Sequence, residues 1–207
     1  LEDPKKAKGL VKRGCVRIVT PGTLIESTLL EATENNYIAA VVKNVKGFHY
    51  CFADLSTGEL MLGECKNNTG LLGELTRRRC AEVLIPESLL VDIELIQQIR
   101  DARIFVSSRD DFYFRRKEAE KTLAKQFGER YLDQIEFNPE SLAICSAGAL
   151  IQYLENTQKK EIKHFTTISQ INNSSIMHLD RQTLRNLELV VNSRGEKGKG
   201  SLLAVLD

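Results

Sequence analysis

The feature that most constrains the fold is a change of pattern between Cys65 and Thr69. Before it, three apolar runs with strand character follow one another, separated only by short, glycine-bearing turns: Asn36–Asn44, Phe48–Leu55 and Glu59–Cys65. Turns this short join antiparallel neighbours, so the three runs predict a β-meander.

After the change, helical and strand patterns alternate. Helical patterns cover Thr69–Cys80 and Val91–Ile99, and short apolar strands cover Ala81–Pro86 and Ala102–Ser108. Parallel strands joined through a helix form right-handed crossovers. The whole pattern predicts an α/β fold, with a mixed sheet flanked by helices in an order that resembles the ribonuclease H-like folds. The residues expected to face inward on the second helix are Val91, Leu95 and Ile99.

Two more helices are predicted towards the carboxyl side. Arg115–Phe127 is amphipathic and is expected to end at Gly128, a residue suited to a helix C-terminus. Glu140–Gln158 is apolar on nearly all sides, which is typical of a buried helix. The inward side chains of the amphipathic helix are predicted to be Ala119, Leu123 and Phe127.

The two ends of the chain carry weaker patterns. Cys15–Thr20 has strand character and runs into a Pro-Gly-Thr turn. Thr157–Ser175 is polar and aperiodic and predicts a linker. Beyond it, Asp180 is a suitable N-cap for a helix. That helix is expected to bury Leu184, Leu187 and Val191 in a complete protein and to expose them in an isolated piece.

Composition excludes several classes of protein. The net charge of +1 argues against nucleic-acid binding through bulk charge, although a local basic patch fits within it. No apolar run approaches the ~20 residues of a membrane span, and the first ten residues lack the apolar core that a signal peptide needs. The five cysteines form no C-x-x-C pair, which favours reduced thiols and a cytoplasmic location. The three histidines are scattered, so no metal site is predicted from them.

Asp54 is the one residue that suggests catalysis. It lies where a predicted strand gives way to Ser-Thr-Gly, and in many α/β enzymes such an aspartate holds a metal ion. Two-metal cleavage of a phosphodiester needs several carboxylates to converge. The chain therefore leaves two interpretations: a side chain that caps a turn, or a divergent metal-dependent nuclease centred on Asp54. The acids near other predicted strand ends are Glu64, Asp92, Asp110 and Asp111.

Other chemical motifs are incomplete. Gly195–Ser201 contains Gly, Lys and Ser, but it departs from the G-x-x-x-x-G-K-[ST] phosphate loop. No nucleophile motif of the G-x-S-x-G type occurs. Lys5–Arg13 and Thr76–Cys80 are short basic strings that could contact phosphates or be solvated surface.

Longer strings resemble a known family. "EDPKKAKGLVKRGCVRIVTPGT", "ADLSTGE", "LIPE", "QFG" and "MHLDRQTLRNLELVVNSRG" occur here in the same order as in the MutS family of DNA mismatch repair proteins. The resemblance implies a middle portion of a longer protein. Residues 1–23 would be the tail of the mismatch-recognition domain, 24–165 the connector domain, and 166–207 the start of an all-α lever or core domain.

The same resemblance implies a function. The connector would be non-catalytic and would relay between mismatch recognition and the ATPase domains, with MutL as a docking partner. No cofactor is expected in this portion. The longer protein would bind ATP, magnesium and mismatched DNA, and would form a homodimer or tetramer in the cytoplasm. The docking surface would lie on the helix that ends in "QFG", at Glu118, Lys121, Thr122 and Lys125.

Overall fold

A computed structural model shows the fold of most of the chain. It describes residues 15, 17–23, 36–129, 141–159, 162–171, 183, 186–188 and 200–202. The chain divides into two compact units, Leu1–Ile171 and Asn172–Asp207. Within the described residues, no helix has the length and apolarity needed to cross a membrane.

The first unit contains a six-stranded mixed sheet. Its strands are β1 (Tyr37–Asn44), β2 (Gly47–Asp54), β3 (Glu59–Cys65), β4 (Glu82–Pro86), β5 (Phe105–Arg109) and β6 (Ser169–Gln170). The order across the sheet is β5-β4-β1-β2-β3-β6, and β2 runs antiparallel to both of its neighbours. The strands β4 and β5 run parallel to β1. This confirms the mixed sheet of ribonuclease H-like order that the sequence predicts.

The meander forms because its turns are short and well supported. Asn44 ends β1, and its Oδ1 accepts from the backbone N–H groups of Lys46 (2.8 Å) and Gly47 (3.1 Å). These two hydrogen bonds hold the turn in the register in which Asn44 lies opposite Gly47 and Tyr37 lies opposite Asp54. The register places alternate side chains of β1 on opposite faces of the sheet.

Helices cover both faces of the sheet. On one face lie α1 (Asn68–Arg77) and α2 (Ile93–Asp101), and on the other lie α3 (Arg116–Phe127) and α4 (Ala143–Gln158). Each of the first two helices begins at a side-chain cap. Asn67 Oδ1 accepts from Gly70 N at 2.8 Å, and Asp92 Oδ1 accepts from Leu95 N at 3.2 Å. Such caps satisfy backbone donors that the first turn leaves unpaired.

The predicted inner face of α2 needs one correction. Leu95 and Ile99 are buried, but Val91 is 82% exposed. It lies in a 3-10 turn, Glu87–Val91, and the α-helix starts only after the Asp92 cap. Ile96 completes the buried face instead.

The buried helix α4 packs tightly against α3. A Cβ added at Gly148 would come within 2.3 Å of Ala119 Cα, so the two backbones approach closely at this point. Ala119 and Leu123 are buried as predicted, whereas Phe127 is only partly buried. Gly128 follows the helix with a φ of 88°, which confirms the predicted end.

The segment predicted as a linker contributes to the first unit. Ile162 and Phe165 are each 1% exposed and belong to the core between the sheet and α4. Ser169–Gln170 then forms β6, which pairs in parallel with β3. Its apolar residues are too few and too irregular to produce a periodic pattern, so the sequence gives no strand signal there.

The predicted amino-terminal strand is wrong for the residues that can be seen. Residues 17–20 are irregular and lead into a 3-10 turn, Pro21–Thr23. The basic string 5–13 lies outside the described residues. So do Leu184, Val191 and the phosphate-loop-like string up to residue 199. In the second unit, Leu187 is 54% exposed, and its N–H donates to Thr183 O at 2.9 Å.

Candidate functional site

Asp54 is the cap of a hairpin turn. It ends β2 and is fully buried. Its Oδ1 accepts from the Ser56 N–H at 2.8 Å and from the Ser56 hydroxyl at 2.6 Å, and its backbone oxygen accepts from Gly58 N at 2.9 Å. These are the contacts of an Asx-type turn between β2 and β3. The turn-capping interpretation of Asp54 is confirmed.

The other acids near strand ends have local tasks of their own. Asp92 caps α2 and binds Lys43 at 2.7 Å, and this hydrogen bond holds the pKa of Asp92 below its usual value. Asp110 accepts from Phe112 N at 2.7 Å, and Asp111 accepts from Ser88 N at 2.9 Å.

These acids therefore do not assemble around Asp54. Glu64 lies opposite His49, at the far end of the hairpin that joins β2 and β3, well away from the Asp54–Glu59 pair. No group of three or more His, Cys, Asp or Glu side chains is placed to hold a metal ion in the part of the chain that the structure describes. The convergence that a two-metal nuclease needs is not found there.

Four of the five cysteines are buried or half-buried, and Cys15 is exposed. All five are free, and three of them are buried: Cys51, Cys80 and Cys145. Burial raises the pKa of Cys80 to about 12, and burial likewise raises the pKa of Cys65 to about 12. A thiol that holds its proton so strongly is a poor nucleophile at neutral pH.

A second buried carboxylate, Glu82, accepts hydrogen bonds from three separate parts of the chain. It lies at the start of β4 and is fully buried. Its Oε1 accepts from the hydroxyls of Ser107 (2.6 Å) and Tyr153 (2.7 Å), and its Oε2 accepts from the Gly22 N–H at 3.0 Å. We call these four residues the Glu82 clasp. Sequence analysis did not single out Glu82, although an acid inside the apolar run "EVLIP" is a signal that could have found it.

The clasp fixes the irregular segment that precedes the sheet. A Cβ on Gly22 would lie 2.7 Å from Ile38 Cβ and 2.9 Å from Glu82 Cβ, so only glycine fits this close to the strands. Further contacts hold the same segment: Asn36 Nδ2 donates to Pro21 O at 2.9 Å, and Ile18 N donates to Thr157 O at 2.7 Å. The segment is thus bound both to the sheet and to the end of α4.

Tyr153 connects the clasp to the helical layer. It projects from α4, and burial together with its hydrogen bond to Glu82 raises the pKa of its hydroxyl. The Arg109 guanidinium lies 3.9 Å from the ring centroid of Tyr113 and 6.0 Å from that of Tyr153. These contacts hold the ends of β4 and β5 against α4.

The predicted docking residues lie on α3. Lys121 and Lys125 are exposed, and Glu118 and Thr122 are half-buried. Two of the four side chains are engaged within the unit. Thr122 Oγ1 donates to Glu118 O at 2.9 Å, and Lys125 Nζ binds Glu155 Oε1 of α4 at 3.1 Å. Of the two lysines on this face, Lys125 is thus neutralised in part by an acid of the neighbouring helix.

One residue next to that face has a role that the sequence did not indicate. The side-chain amide of Gln126 donates to the backbone oxygens of Ile162 (3.1 Å) and Phe165 (2.9 Å). It therefore fastens the end of α3 to the segment that leaves α4. Neither partner is near it in sequence, so local pattern could not have revealed the contact.

Comparison with known proteins gives the chain its family. Residues 36–166 match the family model described as MutS domain II. The chain is 34% identical over 210 residues to the DNA mismatch repair protein MutS of Caldanaerobacter subterraneus subsp. tengcongensis, covering 100% of this chain and 24% of that protein. It is 38% identical over 221 residues to MutS of Methanosarcina acetivorans and 39% identical over 209 residues to MutS of Protochlamydia amoebophila, with the same coverage.

The chain belongs to the MutS family.

The family match also locates the clasp. The chain spans about a quarter of the length of the MutS proteins that it matches. The matched portion is MutS domain II, and no catalytic domain is indicated for it. Gly22 lies before the matched residues, whereas Glu82, Ser107 and Tyr153 lie within them. In this MutS domain, the clasp therefore binds the chain that enters the domain to the domain itself.

Proposed function

We propose that this chain is the non-catalytic connector module of a MutS mismatch repair protein, which relays between mismatch recognition and the ATPase domains and offers α3 as a docking face for MutL. The whole protein would bind mismatched DNA, ATP and magnesium, and would work as a homodimer or tetramer in the cytoplasm. The observation that carries the proposal is the Glu82 clasp, because a relay needs a firm joint where the chain enters the module.

The physical argument for relay concerns stiffness. The entering segment contacts β4 through Glu82 and the end of α4 through Thr157. Gln126 fastens α3 to the segment that leaves α4. Entry segment, sheet, helical layer and exit segment are therefore joined by direct hydrogen bonds, so we expect a displacement at one end to pass to the other rather than being absorbed by a loose loop.

The argument for docking concerns what α3 presents. Lys121 is exposed, and Lys125 adds a second cation whose charge is balanced in part by Glu155. Such a face suits a partner surface with one or two carboxylates, and its contribution to affinity would fall with added salt.

The test is a titration with the ATPase domain of MutL from the same organism. Lys121→Glu is expected to weaken binding at low salt by about tenfold or more, because it places a like charge opposite the partner's acids. Lys66→Glu is the matched control, since Lys66 is exposed and lies beyond the end of β3, away from α3. Docking on α3 is contradicted if both variants lose the same amount of affinity for MutL, or if neither loses any.

A second arm tests the relay in the full-length protein. Glu82→Gln is expected to reduce the stimulation of ATP hydrolysis by mismatched DNA while leaving mismatch affinity unchanged. The relay is contradicted if Glu82→Gln releases the entering segment from the sheet and mismatched DNA still stimulates ATP hydrolysis fully.

A further inference from the structure

A groove opens at the end of the sheet where β1 and β4 finish. One wall is the end of β1 with the turn that follows it, and the other is the end of β4 with the 3-10 turn Glu87–Val91. The volume of the groove is about 390 Å³, and its lining residues are Lys43, Asn44, Val45, Pro86, Ser88 and Leu89. Lys43 Nζ binds Asp92 Oδ2 at 2.7 Å and so ties the two walls together.

Large apolar side chains are exposed around this groove. Val45 lines it, and Val91 and Ile93 flank the Asp92 end of the ion pair. Val91 is 82% exposed and Ile93 is 77% exposed, and Leu90 is exposed beside them. Of the ten large apolar side chains that are exposed in the described part of the chain, four therefore belong to this one area. Single exposed apolar residues are ordinary, whereas a group of them marks an interaction surface.

The same area is acidic. Residues 86–94 contain three acids and no basic residue, although the net charge of the whole chain is +1. Asp92 is already neutralised by the lysine across the groove. Glu87 and Glu94 are exposed, and within the residues that the structure describes neither of them forms an ion pair.

A further acid approaches the groove from the end of β5. Asp111 accepts from the Ser88 N–H at 2.9 Å, and hydrogen bonds from Ser88 hold the pKa of Asp111 below its usual value. On the opposite wall, Lys46 is an exposed cation. The area therefore carries an excess of negative charge. We call it the apolar–acidic surface, and its members are Val45, Leu90, Val91, Ile93, Glu87 and Glu94.

The stability of the fold does not account for this surface. Leu89 is the residue of the 3-10 turn that packs into the core, at 7% exposed, so the turn is anchored without Val91 and Ile93. An acid in the first turn of α2 interacts favourably with the helix dipole, which explains Glu94 but not Glu87 or the exposed apolar side chains.

We propose that the apolar–acidic surface binds a basic amphipathic segment of a partner protein, one that presents side chains such as leucine beside lysine or arginine. The apolar side chains leave water on binding, and the cations of the segment meet the acids at the rim of the groove. The docking residues on α3 belong to the helices that cover the opposite face of the sheet, so neither proposal depends on the other.

The experiment measures binding of a fluorescent amphipathic peptide to the 207-residue chain by anisotropy. The probe is a helical peptide of about 18 residues made of leucine and lysine, and its matched partner has glutamate in place of lysine. Wild type is expected to bind the lysine peptide at least about tenfold more tightly than the glutamate peptide at low salt. That ratio should fall as salt is added, because salt screens the acids at the rim.

The apolar part of the surface is tested with Val91→Ser/Ile93→Ser. This variant should bind the lysine peptide at least about tenfold more weakly, since two exposed apolar side chains are lost from the contact. Its melting temperature should stay within about 2 °C of wild type, because neither side chain is in the core. Phe105→Ser is the matched control and should change binding less than about twofold. Phe105 is 51% exposed but pairs with the start of β4, at the other end of the strand from the groove.

The acidic part is tested with Glu87→Gln/Glu94→Gln. Binding of the lysine peptide should weaken about threefold or more at low salt, and the difference from wild type should shrink at high salt. Glu120→Gln/Glu129→Gln removes the same charge from exposed positions on and next to α3, and should change binding less than about twofold.

Four results would overturn the proposal. The first is the absence of saturable binding of the lysine peptide by wild type, and the second is an equal loss in a variant and its matched control. The third is binding by this chain but not by the full-length MutS protein, which would assign the surface to a contact within that protein. The fourth is self-association of the chain that disappears in Val91→Ser/Ile93→Ser, which would assign the surface to a second copy.

Discussion

Asp54 and Glu82 are both fully buried carboxylates, and both lie at the end of the sheet where β1 begins, yet they have different roles. Asp54 accepts from the backbone and hydroxyl of Ser56, two residues away. Glu82 accepts from groups 60, 25 and 71 residues away in the chain. One carboxylate completes a turn, and the other joins three parts of the molecule. Burial of an acid therefore says little about its role until its partners are known.

The largest expected effect is that of Glu82→Gln. The amide can accept from two of the three donors, but its NH₂ group then faces another N–H and leaves buried groups unpaired. Unfolding in urea should show a loss of about 2–4 kcal/mol in the free energy of unfolding. The amide proton of Gly22 should exchange much faster by NMR. A loss below 1 kcal/mol, with Gly22 still protected, would mean that the clasp does not hold the entering segment.

Gly22→Ala tests the same joint from the other side. The added methyl group would lie 2.7 Å from Ile38 Cβ, so the turn must move away from the sheet. A loss of about 1–3 kcal/mol is expected in the same urea experiment. Gly73→Ala is the control, because Gly73 lies in α1 with no atom within 4 Å of the added Cβ, and it should gain about 0.5–1 kcal/mol. Similar changes in both variants would contradict a close approach at Gly22.

Tyr153→Phe should have a smaller effect. It removes one donor from Glu82 while keeping the ring that packs beside Arg109, so the loss at neutral pH is about 1 kcal/mol. Denaturant unfolding of the two proteins at pH 7 measures it. No loss at all would indicate that Tyr153 does not take part in the clasp.

The pH dependence of Tyr153 sharpens that prediction. The pKa of its hydroxyl is raised in the folded protein, so the folded state keeps the proton up to a higher pH than the unfolded chain does. The stability that this contributes is fully present below pH of about 10 and is lost as pH rises towards the folded pKa. The stability difference between wild type and Tyr153→Phe should therefore shrink as the pH rises above about 10. A difference that stays constant as the pH rises above about 10 contradicts the raised pKa.

The smallest effect is expected for Asp54→Asn. The amide oxygen can keep both contacts to Ser56, and Oδ2 is buried with no hydrogen-bond partner in the described part of the chain. The change in stability should be below about 1 kcal/mol. A nuclease assay with magnesium or manganese serves as the control. Metal-dependent cleavage that disappears in this variant would revive the nuclease interpretation.

Much of the fold was predictable because its signals are local. The strands of the meander end within one or two residues of their predicted limits, since glycine-bearing turns and apolar runs mark them directly. The crossovers, the end of α3 at Gly128 and the burial of α4 follow from periodicity in the same way. Val91 was misplaced because the side-chain cap at Asp92 competes with the helical period and shifts the start of α2.

The candidate sites also differ in whether their contacts are local in the sequence. The turn-capping alternative for Asp54 could be stated from Ser-Thr-Gly alone, because its partners are two residues away. The Glu82 clasp and the fastening of α3 by Gln126 could not, because their members come from separate elements. The sequence by itself determined the elements, their order and the family resemblance. The tertiary structure alone decided which distant groups meet, because register and helix packing set those distances and local pattern carries no record of them.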